Sequence, residues 1–172
     1  MSDSVIAAIQ CRMSSTRLPG KVLRLIEGVP TIGRIVQRLS YSQRLSGIIV
    51  ACSTNPADDP IAAYCSQNRI AYVRGSETAV DQRLLLALDQ MGADALVRVT
   101  ADCPLVDPAL LDTLVGMWLA GTPGIPTMPD YVSNVYPTGP TRTGSTSRSS
   151  AGAPSSSSPR RSTTSNPGTT KP

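Results

Sequence analysis

The sequence predicts an α/β protein built on a mostly parallel sheet. Four short apolar runs are separated by longer segments in which apolar residues recur at helical spacing, the strand–helix alternation of βαβ units. The apolar runs are continuous, as expected for strands that are covered by helices on both faces. Loops that contain Pro, Gly, Asn or Asp follow the runs and mark their ends. Right-handed crossovers should connect the parallel strands.

The elements follow from these patterns in chain order. Strands are predicted over 5–9, 48–51, 70–73 and 95–100, with a last strand over 131–135 after a proline- and glycine-rich linker at 121–129. Helices are predicted over 31–44, from about 60 to 68, over 78–91 and over 107–120.

Two of the helix starts carry an aspartate followed by proline. Asp58 or Asp59 precedes Pro60, and Asp107 precedes Pro108. We therefore expect an aspartate to cap each of these helices, because its carboxylate accepts hydrogen bonds from the first turn. Asp112, further along the last helix, is expected to be a surface charge.

Composition divides the chain near residue 136. Residues 137–172 contain no Val, Ile, Leu, Met, Tyr or Trp, so this tail has nothing apolar to bury against its ordering entropy and is expected to be disordered. Residues 1–136 carry 11 Lys and Arg against 12 Asp and Glu, whereas the tail carries five cations and no acid. The basicity belongs to the tail, so we expect no nucleic-acid partner.

Residue counts exclude several kinds of site. The chain has no His, which removes Ser–His and Cys–His nucleophilic pairs, and its four cysteines lack the spacing of a zinc site. Free thiols fit a reducing cytoplasm. No basic signal-peptide region opens the chain and no apolar run reaches the length of a membrane span, so the expected location is cytoplasmic, without a membrane partner.

Residues 9–21 concentrate the polar chemistry of the chain. This stretch reads I-Q-C-R-M-S-S-T-R-L-P-G-K and leaves the carboxyl end of the first strand, where open α/β sheets bind ligands. Arg12, Arg17 and Lys21 lie four or five residues apart, with three hydroxyl side chains between them. These groups suit a polyanion such as a nucleoside triphosphate. The spacing alone is equally compatible with a solvated basic loop.

The stretch resembles the signature loop of the sugar cytidylyltransferases, above all the spore-coat polysaccharide branch, whose members read R-M-S-S-T-R-L-P-G-K. Further matches follow in order across roughly residues 4–136, including T-A-D-C-P-L at 100–105, where the family reads T-G-D-C-P-L. The resemblance implies a Rossmann-like sheet of the nucleotide-diphosphosugar transferase type, incomplete at its C-terminus. It also implies that CTP and a sugar acceptor give a CMP-sugar and pyrophosphate, with Mg²⁺ as cofactor.

The resemblance assigns roles to individual residues. Asp102 is expected to hold the metal, because Mg²⁺ takes one or two carboxylates together with phosphate oxygens and waters. Without the resemblance, Asp102 is better explained as a turn cap before Pro104. The catalytic residues implied by the resemblance are Arg12, Lys21 and Asp102. The nucleotide-binding residues that it implies are Arg12, Ser14, Ser15, Arg17, Lys21, Arg74, Gly75 and Ser76. The last three belong to a segment that lies against the base and ribose in the family.

The chain departs from the family pattern at several positions. Cys11 stands where the family usually has Ala, and Val80-Asp81-Gln82-Arg83 replaces V-L-D-R, which moves the acid by one position, or about 100° around a helix. Recognition of the base is therefore open. Arg98, in the middle of a predicted strand, either reaches the substrate or forms a structural ion pair.

The ending also departs from the family. Its members continue past Y-V-S-N-V into a segment like Y-P-D-G-L-D-V-E-V-F and then through roughly a hundred further residues, which carry another metal-binding acid and much of the sugar site. With GC-rich codons, residues 140–150 read one base out give D-A-D-G-L-D-V-E-V-F. We therefore interpret 1–136 as the N-terminal part of a nucleotidyltransferase domain and 137–172 as a frameshifted tail.

Three functional hypotheses follow. The first is a cytidylyltransferase that activates a sugar for cell-surface or spore-coat polysaccharide, in a family group whose members are often homodimers. The second is a non-catalytic nucleotide-binding fragment or pseudoenzyme. The third is a basic-tailed module that binds nucleic acid or a charged surface, which steep salt dependence of binding would reveal.

Overall fold

The computed structural model describes residues 3–121, 131–133 and 145–148. In this part of the chain, helices pack on both faces of a six-stranded sheet, and a two-stranded hairpin stands apart from that sheet. The strands are β1 (Val5–Gln10), β2 (Leu25–Ile26), β3 (Val29–Pro30), β4 (Gly47–Ser53), β5 (Ala71–Gly75), β6 (Ala95–Thr100), β7 (Tyr131–Ser133) and β8 (Ser145–Arg148). The α-helices are α1 (Thr31–Leu39), α2 (Asp59–Gln67), α3 (Val80–Met91) and α4 (Pro108–Ala120).

The strand order β5-β4-β1-β6-β8-β7 places the first strand between two later ones. β1, β4, β5 and β6 are mutually parallel, whereas β8 pairs antiparallel with β6 and with β7. The chain moves to one side of β1 to form β4 and β5, and then returns to form β6 on the other side. This reversal opens a crevice at the carboxyl ends of β1 and β6, the position at which open α/β sheets bind ligands.

The two faces of the sheet are buried by different helices. Side chains of α1, α2 and α4 pack on one face, against alternate β1 residues such as Val5, Ala7 and Ile9. The intervening residues, Ile6 and Ala8, pack against α3 on the other face. This two-sided burial explains why the parallel strands read as continuous apolar runs, and it confirms the predicted α/β class.

The predicted helix over 31–44 ends five residues early, at Leu39. The segment that follows is held as a turn because Asp112 on α4 accepts hydrogen bonds from the Ser42 hydroxyl and from the Gln43 and Arg44 backbone N–H groups. The expectation that Asp112 is only a surface charge was therefore wrong. It fixes the connection between α1 and β4.

The two predicted aspartate caps have different outcomes. Asp107 accepts hydrogen bonds from the Ala109 and Leu110 N–H groups, which confirms it as the cap of α4. Asp58 occupies the N-terminal position of α2, but its side chain makes no capping bond there. Its buried carboxylate instead accepts hydrogen bonds from Met13 in the loop after β1 and from Ser53 at the end of β4. The prediction that Asp58 caps α2 was therefore wrong, because its carboxylate holds together residues beside the candidate site.

Strand β8 lies inside the tail for which the sequence predicts no order. Backbone hydrogen bonds to the edge of β6 do not require apolar side chains, so a segment rich in Ser and Thr can still pair there. Residues 122–129 of the predicted linker at 121–129, and the end of the predicted last strand at 134–135, lie outside the described residues.

Candidate active site

A cavity of about 260 Å³ opens at the carboxyl ends of β1 and β6, at the reversal in strand order. It brings together most of the side chains predicted to bind phosphate, together with the aspartate predicted to hold metal. Its lining is formed by the first loop and by the end of β6, with Gln10, Cys11, Arg12, Ser15, Thr16, Arg17, Lys21, Val22, Thr100, Ala101 and Asp102.

The loop after β1 folds back on itself, and this turn delivers Lys21 to the cavity. The Met13 carbonyl accepts hydrogen bonds from the Ser15 and Gly20 N–H groups, and Gly20 has a positive φ of 69° that glycine adopts without a steric cost. A short 3₁₀ turn over Lys21–Leu23 follows directly and buries Val22. Proline and glycine therefore set the path of the loop rather than only ending a helix.

Asp58 anchors this loop from the neighbouring strand connection. It is 1% exposed, and its carboxylate accepts hydrogen bonds from the Met13 N–H at 2.7 Å, from the Ser53 N–H at 2.9 Å and from the Ser53 hydroxyl. A buried carboxylate is stable only when donors of this kind surround it. The start of the loop over 11–20, the phosphate loop, is thus tied to the carboxyl end of β4.

Glu77 makes a second connection between the loops. Its carboxylate accepts hydrogen bonds from the Ser14 hydroxyl at 3.2 Å and from the Asn55 side-chain amide at 2.8 Å. Ser14 is therefore directed at Glu77 and does not line the cavity, unlike Ser15. Three loops, which follow β1, β4 and β5, are joined at one edge of the sheet.

Lys21 and Asp102 face each other across the cavity. The Lys21 Nζ atom lies 2.8 Å from an Asp102 carboxylate oxygen, and the side chains are 31% and 48% exposed. Hydrogen bonds from Lys21 and then from Thr100 lower the pKa of Asp102 to about 2. The carboxylate is therefore ionised at neutral pH and available to a cation.

A divalent ion fits this donor set when a triphosphate is also present. Asp102 supplies one ionised carboxylate, and Mg²⁺ completes its shell with phosphate oxygens and waters. Within the described residues, no group of three or more His, Cys, Asp or Glu side chains is arranged to hold a metal without such a ligand. The cavity is suited to a metal–nucleotide complex rather than to a permanently bound ion.

Arg12 and Arg17 line the cavity with exposed side chains. Together with Lys21, they place three cations at the mouth of one crevice. Guanidinium groups bind phosphate oxygens in pairs, and a lysine ammonium adds a mobile point charge. The arrangement can neutralise a triphosphate while an adjacent carboxylate holds a metal on the same phosphates.

Three predicted nucleotide-binding residues, Arg74, Gly75 and Ser76, do not line this cavity. The Arg74 guanidinium donates to the Ser53 and Asn55 carbonyls and forms an ion pair with Asp59 at 2.7 Å. Arg74 therefore fastens β5 to the neighbouring loop in this structure.

Ser76 and Gly75 belong to the turn that follows β5. The Ser76 hydroxyl accepts a hydrogen bond from the Ala79 N–H at 3.0 Å, and Gly75 ends the strand in a buried position.

Of the two alternatives for Arg98, a substrate contact and a structural ion pair, the structure bears on the second. Its Nε donates to the Gln10 side-chain oxygen at 2.9 Å, and no ion pair of Arg98 occurs among the described residues. Gln10 in turn lines the cavity. Arg98 is thus one residue removed from the site.

Cys11, where the family usually has Ala, is buried and donates from its thiol to the Ala51 carbonyl. Burial raises the pKa of this thiol well above its ordinary value. It is a neutral, small packing group.

Sequence reasoning missed three residues that support the site, Asp58, Glu77 and Arg83. Asp58 was noticed, but as a helix cap, because an aspartate before proline is a common start signal. Arg83 is 1% exposed, although its sequence position gave no sign of burial. Only the repeated acid and hydroxyl pattern after strands β4 and β5 could have indicated that these loops are tied together.

The described residues contain no helix that is both long and apolar enough to cross a membrane.

A family model described as cytidylyltransferase matches residues 6–141. The spore coat polysaccharide biosynthesis protein SpsF of Bacillus subtilis is 33% identical over 117 residues, which are 66% of this chain and 49% of that protein. A 3-deoxy-manno-octulosonate cytidylyltransferase of Chlorobaculum parvum is 31% identical over 139 residues, 80% of this chain and 53% of that protein.

Solved structures agree with these relatives. A cytidylyltransferase from Leptospira borgpetersenii superposes with a TM-score of 0.72 at 27% identity, covering 86% of this chain and 60% of that one. The chain spans about half the length of the curated relatives it matches. Apart from Val5 at the start of β1, the matched region includes every strand from β1 to β7 and all of the residues that line the cavity. The chain belongs to the cytidylyltransferase family.

Proposed function

We propose that this chain, completed by the segment that its relatives carry beyond the matched half, transfers CMP from CTP to a sugar. The observation that carries the proposal is the cavity in which Arg12, Arg17 and Lys21 face Asp102. The names of two relatives, a spore coat polysaccharide biosynthesis protein and a 3-deoxy-manno-octulosonate cytidylyltransferase, support a sugar acceptor.

In the proposed reaction a sugar hydroxyl oxygen attacks the α-phosphorus of CTP. The new P–O bond forms as the bond to the β-phosphate bridging oxygen breaks, so pyrophosphate leaves and the hydroxyl proton passes to solvent. Arg12 and Arg17 hold the triphosphate, and Lys21 leaves Asp102 to neutralise charge on the leaving group. Asp102 would hold Mg²⁺, which would supply further charge neutralisation.

Several parts of this proposal go beyond the family assignment. They are Mg²⁺ as the metal, a homodimeric assembly, a cytoplasmic location and the absence of a nucleic-acid partner. No disulfide joins any of the four cysteines, all of which lie within the described residues, and this supports a reducing compartment. We also retain the domain interpretation, with 1–136 as the nucleotidyltransferase part and 137–172 as a frameshifted tail.

A second candidate is a non-catalytic nucleotide-binding protein. It is favoured by one observation, the coverage of only about half of the relatives' length. The cavity of the described residues offers one carboxylate for a metal, and the acceptor side of the site would have to come from elsewhere.

Calorimetric titration with CTP in Mg²⁺ buffer tests the nucleotide site. Lys21→Ala and Asp102→Ala should each weaken binding by at least about tenfold, since each removes a charge-assisted contact. Arg24→Ala and Asp89→Ala are matched controls, because both side chains are exposed and lie outside the cavity lining. Absence of CTP binding by the unaltered chain, or equal losses in the control variants, contradicts the proposal.

Pyrophosphate release separates the two candidates. Metal-dependent release by the frame-restored, completed chain with a panel of sugar acceptors, lost in Lys21→Ala, identifies the enzyme, whereas tight CTP binding without release by that same chain identifies the non-catalytic protein. Sequencing the gene across codons 130–172 and about 300 bases downstream tests the frameshift. A one-base change that restores D-G-L-D-V-E-V-F supports it, and a verified frame through residue 172 refutes it.

A further inference from the structure

Arg83, on α3, is a buried arginine that the proposed mechanism does not use. It is 1% exposed, and its Nε has no hydrogen-bond partner. None of the ion pairs found among the described residues includes it. A buried guanidinium without a carboxylate carries a large desolvation cost, so it is expected only where it performs a specific task.

The Arg83 guanidinium binds the turn after β5. Its terminal nitrogen donates to the Ser76 carbonyl at 2.7 Å. Its aliphatic stem packs against Gly75 so closely that a Cβ on Gly75 would lie 3.1–3.2 Å from the Arg83 Cγ and Cβ atoms. The Gly75–Ser76 backbone is therefore laid on this side chain.

The same turn is fixed from its other side. Arg74 donates to two carbonyls of the β4 loop, and Glu77 binds Ser14 of the phosphate loop at 3.2 Å. The segment thus lies beside the phosphate loop, at the carboxyl edge of the sheet, and the Arg74 and Glu77 side chains tie it to the two neighbouring loops. Arg83 supports it from below, on the face of the sheet that α3 covers.

Cytosine and uracil differ in the polarity of their hydrogen-bonding edge, since cytosine presents an amine donor where uracil presents a carbonyl acceptor. A site that reads this difference with backbone groups must hold them to within about 0.5 Å. A flexible turn would let its peptide groups reorient and accept either base.

We propose that Arg83 is a positioning residue that sets the preference for cytosine over uracil by fixing the backbone of Gly75 and Ser76. This inference rests on the proposed function, because it takes the turn after β5 to face the base of a nucleotide whose phosphates lie in the cavity.

The test compares the dissociation constants of CTP, UTP and inorganic tripolyphosphate for the full chain, measured by calorimetry in Mg²⁺ buffer. Arg83→Met should reduce the preference for CTP over UTP by about tenfold and change tripolyphosphate binding less than about twofold. Arg83→Lys keeps a donor and should recover part of the preference. Gln82→Met, on the exposed side of the same helix, is the matched control.

Gly75→Ala perturbs the packing of Gly75 against Arg83 from the other side and should also lower the preference for CTP over UTP. This second variant keeps the test decisive if Arg83→Met does not fold. A preference that is unchanged in both variants overturns the inference, as does an equal loss of CTP and tripolyphosphate binding. An unaltered chain that binds CTP and UTP equally overturns this inference alone. An unaltered chain that binds neither CTP nor tripolyphosphate overturns the proposed function itself.

Discussion

Replacing Asp58 with alanine should destabilise the protein by about 3–5 kcal/mol. The carboxylate is 1% exposed and accepts hydrogen bonds from the Met13 and Ser53 N–H groups and from the Ser53 hydroxyl. Each buried donor left without an acceptor costs about 1–3 kcal/mol, and water entering the space returns part of that loss. The expected effect is a large fraction of the 5–15 kcal/mol that typically holds a domain together.

Asp59 provides a control at the next position. Its carboxylate is 61% exposed and forms one ion pair with Arg74, so Asp59→Ala should cost no more than about 1 kcal/mol. Asp58→Asn keeps one acceptor oxygen and should fall between the two alanine variants. Urea unfolding followed by circular dichroism gives all three free energies of unfolding.

The Asp58 contacts also make a prediction about the loop. Once the Met13 N–H has lost its acceptor, it should exchange with solvent faster in Asp58→Ala than in the unaltered chain, as measured by hydrogen exchange. An Asp58→Ala variant within about 1 kcal/mol of the unaltered chain would refute the reasoning, since it would mean that these donors find other partners.

Three further predictions concern separate parts of the molecule. The ionised Asp102 should stabilise the fold above about pH 4 and lose this effect as the pH falls towards 2. The free energy of unfolding measured in urea should therefore fall more over this range for the unaltered chain than for Asp102→Asn. The difference should be less than about 1 kcal/mol, because the carboxylate is half-exposed. Gly33→Ala should lower the free energy of unfolding by about 1–3 kcal/mol, because its Cβ would overlap the Tyr64 hydroxyl. The loss should be smaller in a Tyr64→Phe background, and equal losses in the two backgrounds, measured by thermal unfolding, would contradict this. Cys103 should react first with a thiol reagent, whereas Cys65, whose pKa burial raises to about 12, should stay unmodified until unfolding; mass spectrometry of labelled peptides decides this.

The parts of the fold that sequence predicts well are those encoded locally. The continuous apolar run at β6 was predicted with its observed bounds, and Asp107 was identified as a cap because its donors lie two and three residues away. Asp58 and Asp112 were misread for the opposite reason. Their donors in the other loops lie 45 and about 70 positions away, a distance over which sequence pattern carries no information.

The candidate site shows the same division. Arg12, Ser15, Arg17, Lys21 and Asp102 were identified from a contiguous loop and a motif, and the structure brings them to one cavity. Their arrangement was not predictable, because the Lys21–Asp102 pair exists only once β1 and β6 are neighbours. The burial of a cation on α3 could not be predicted either, since it depends on the turn that packs over that helix.

The position of β1 between β4 and β6 has a consequence for the order of folding. Lys21 and Asp102 are 81 positions apart. Their loops meet only when β6 pairs with β1, and β6 is the last of the four parallel strands to be synthesised. Contacts of such separation form late and carry a high loop-closure cost. A growing chain can therefore assemble β1, β4 and β5 first, but it gains a nucleotide site only after residue 102 has left the ribosome. Nucleotide would then act as a late stabiliser that binds only chains whose sheet has closed on both sides of β1.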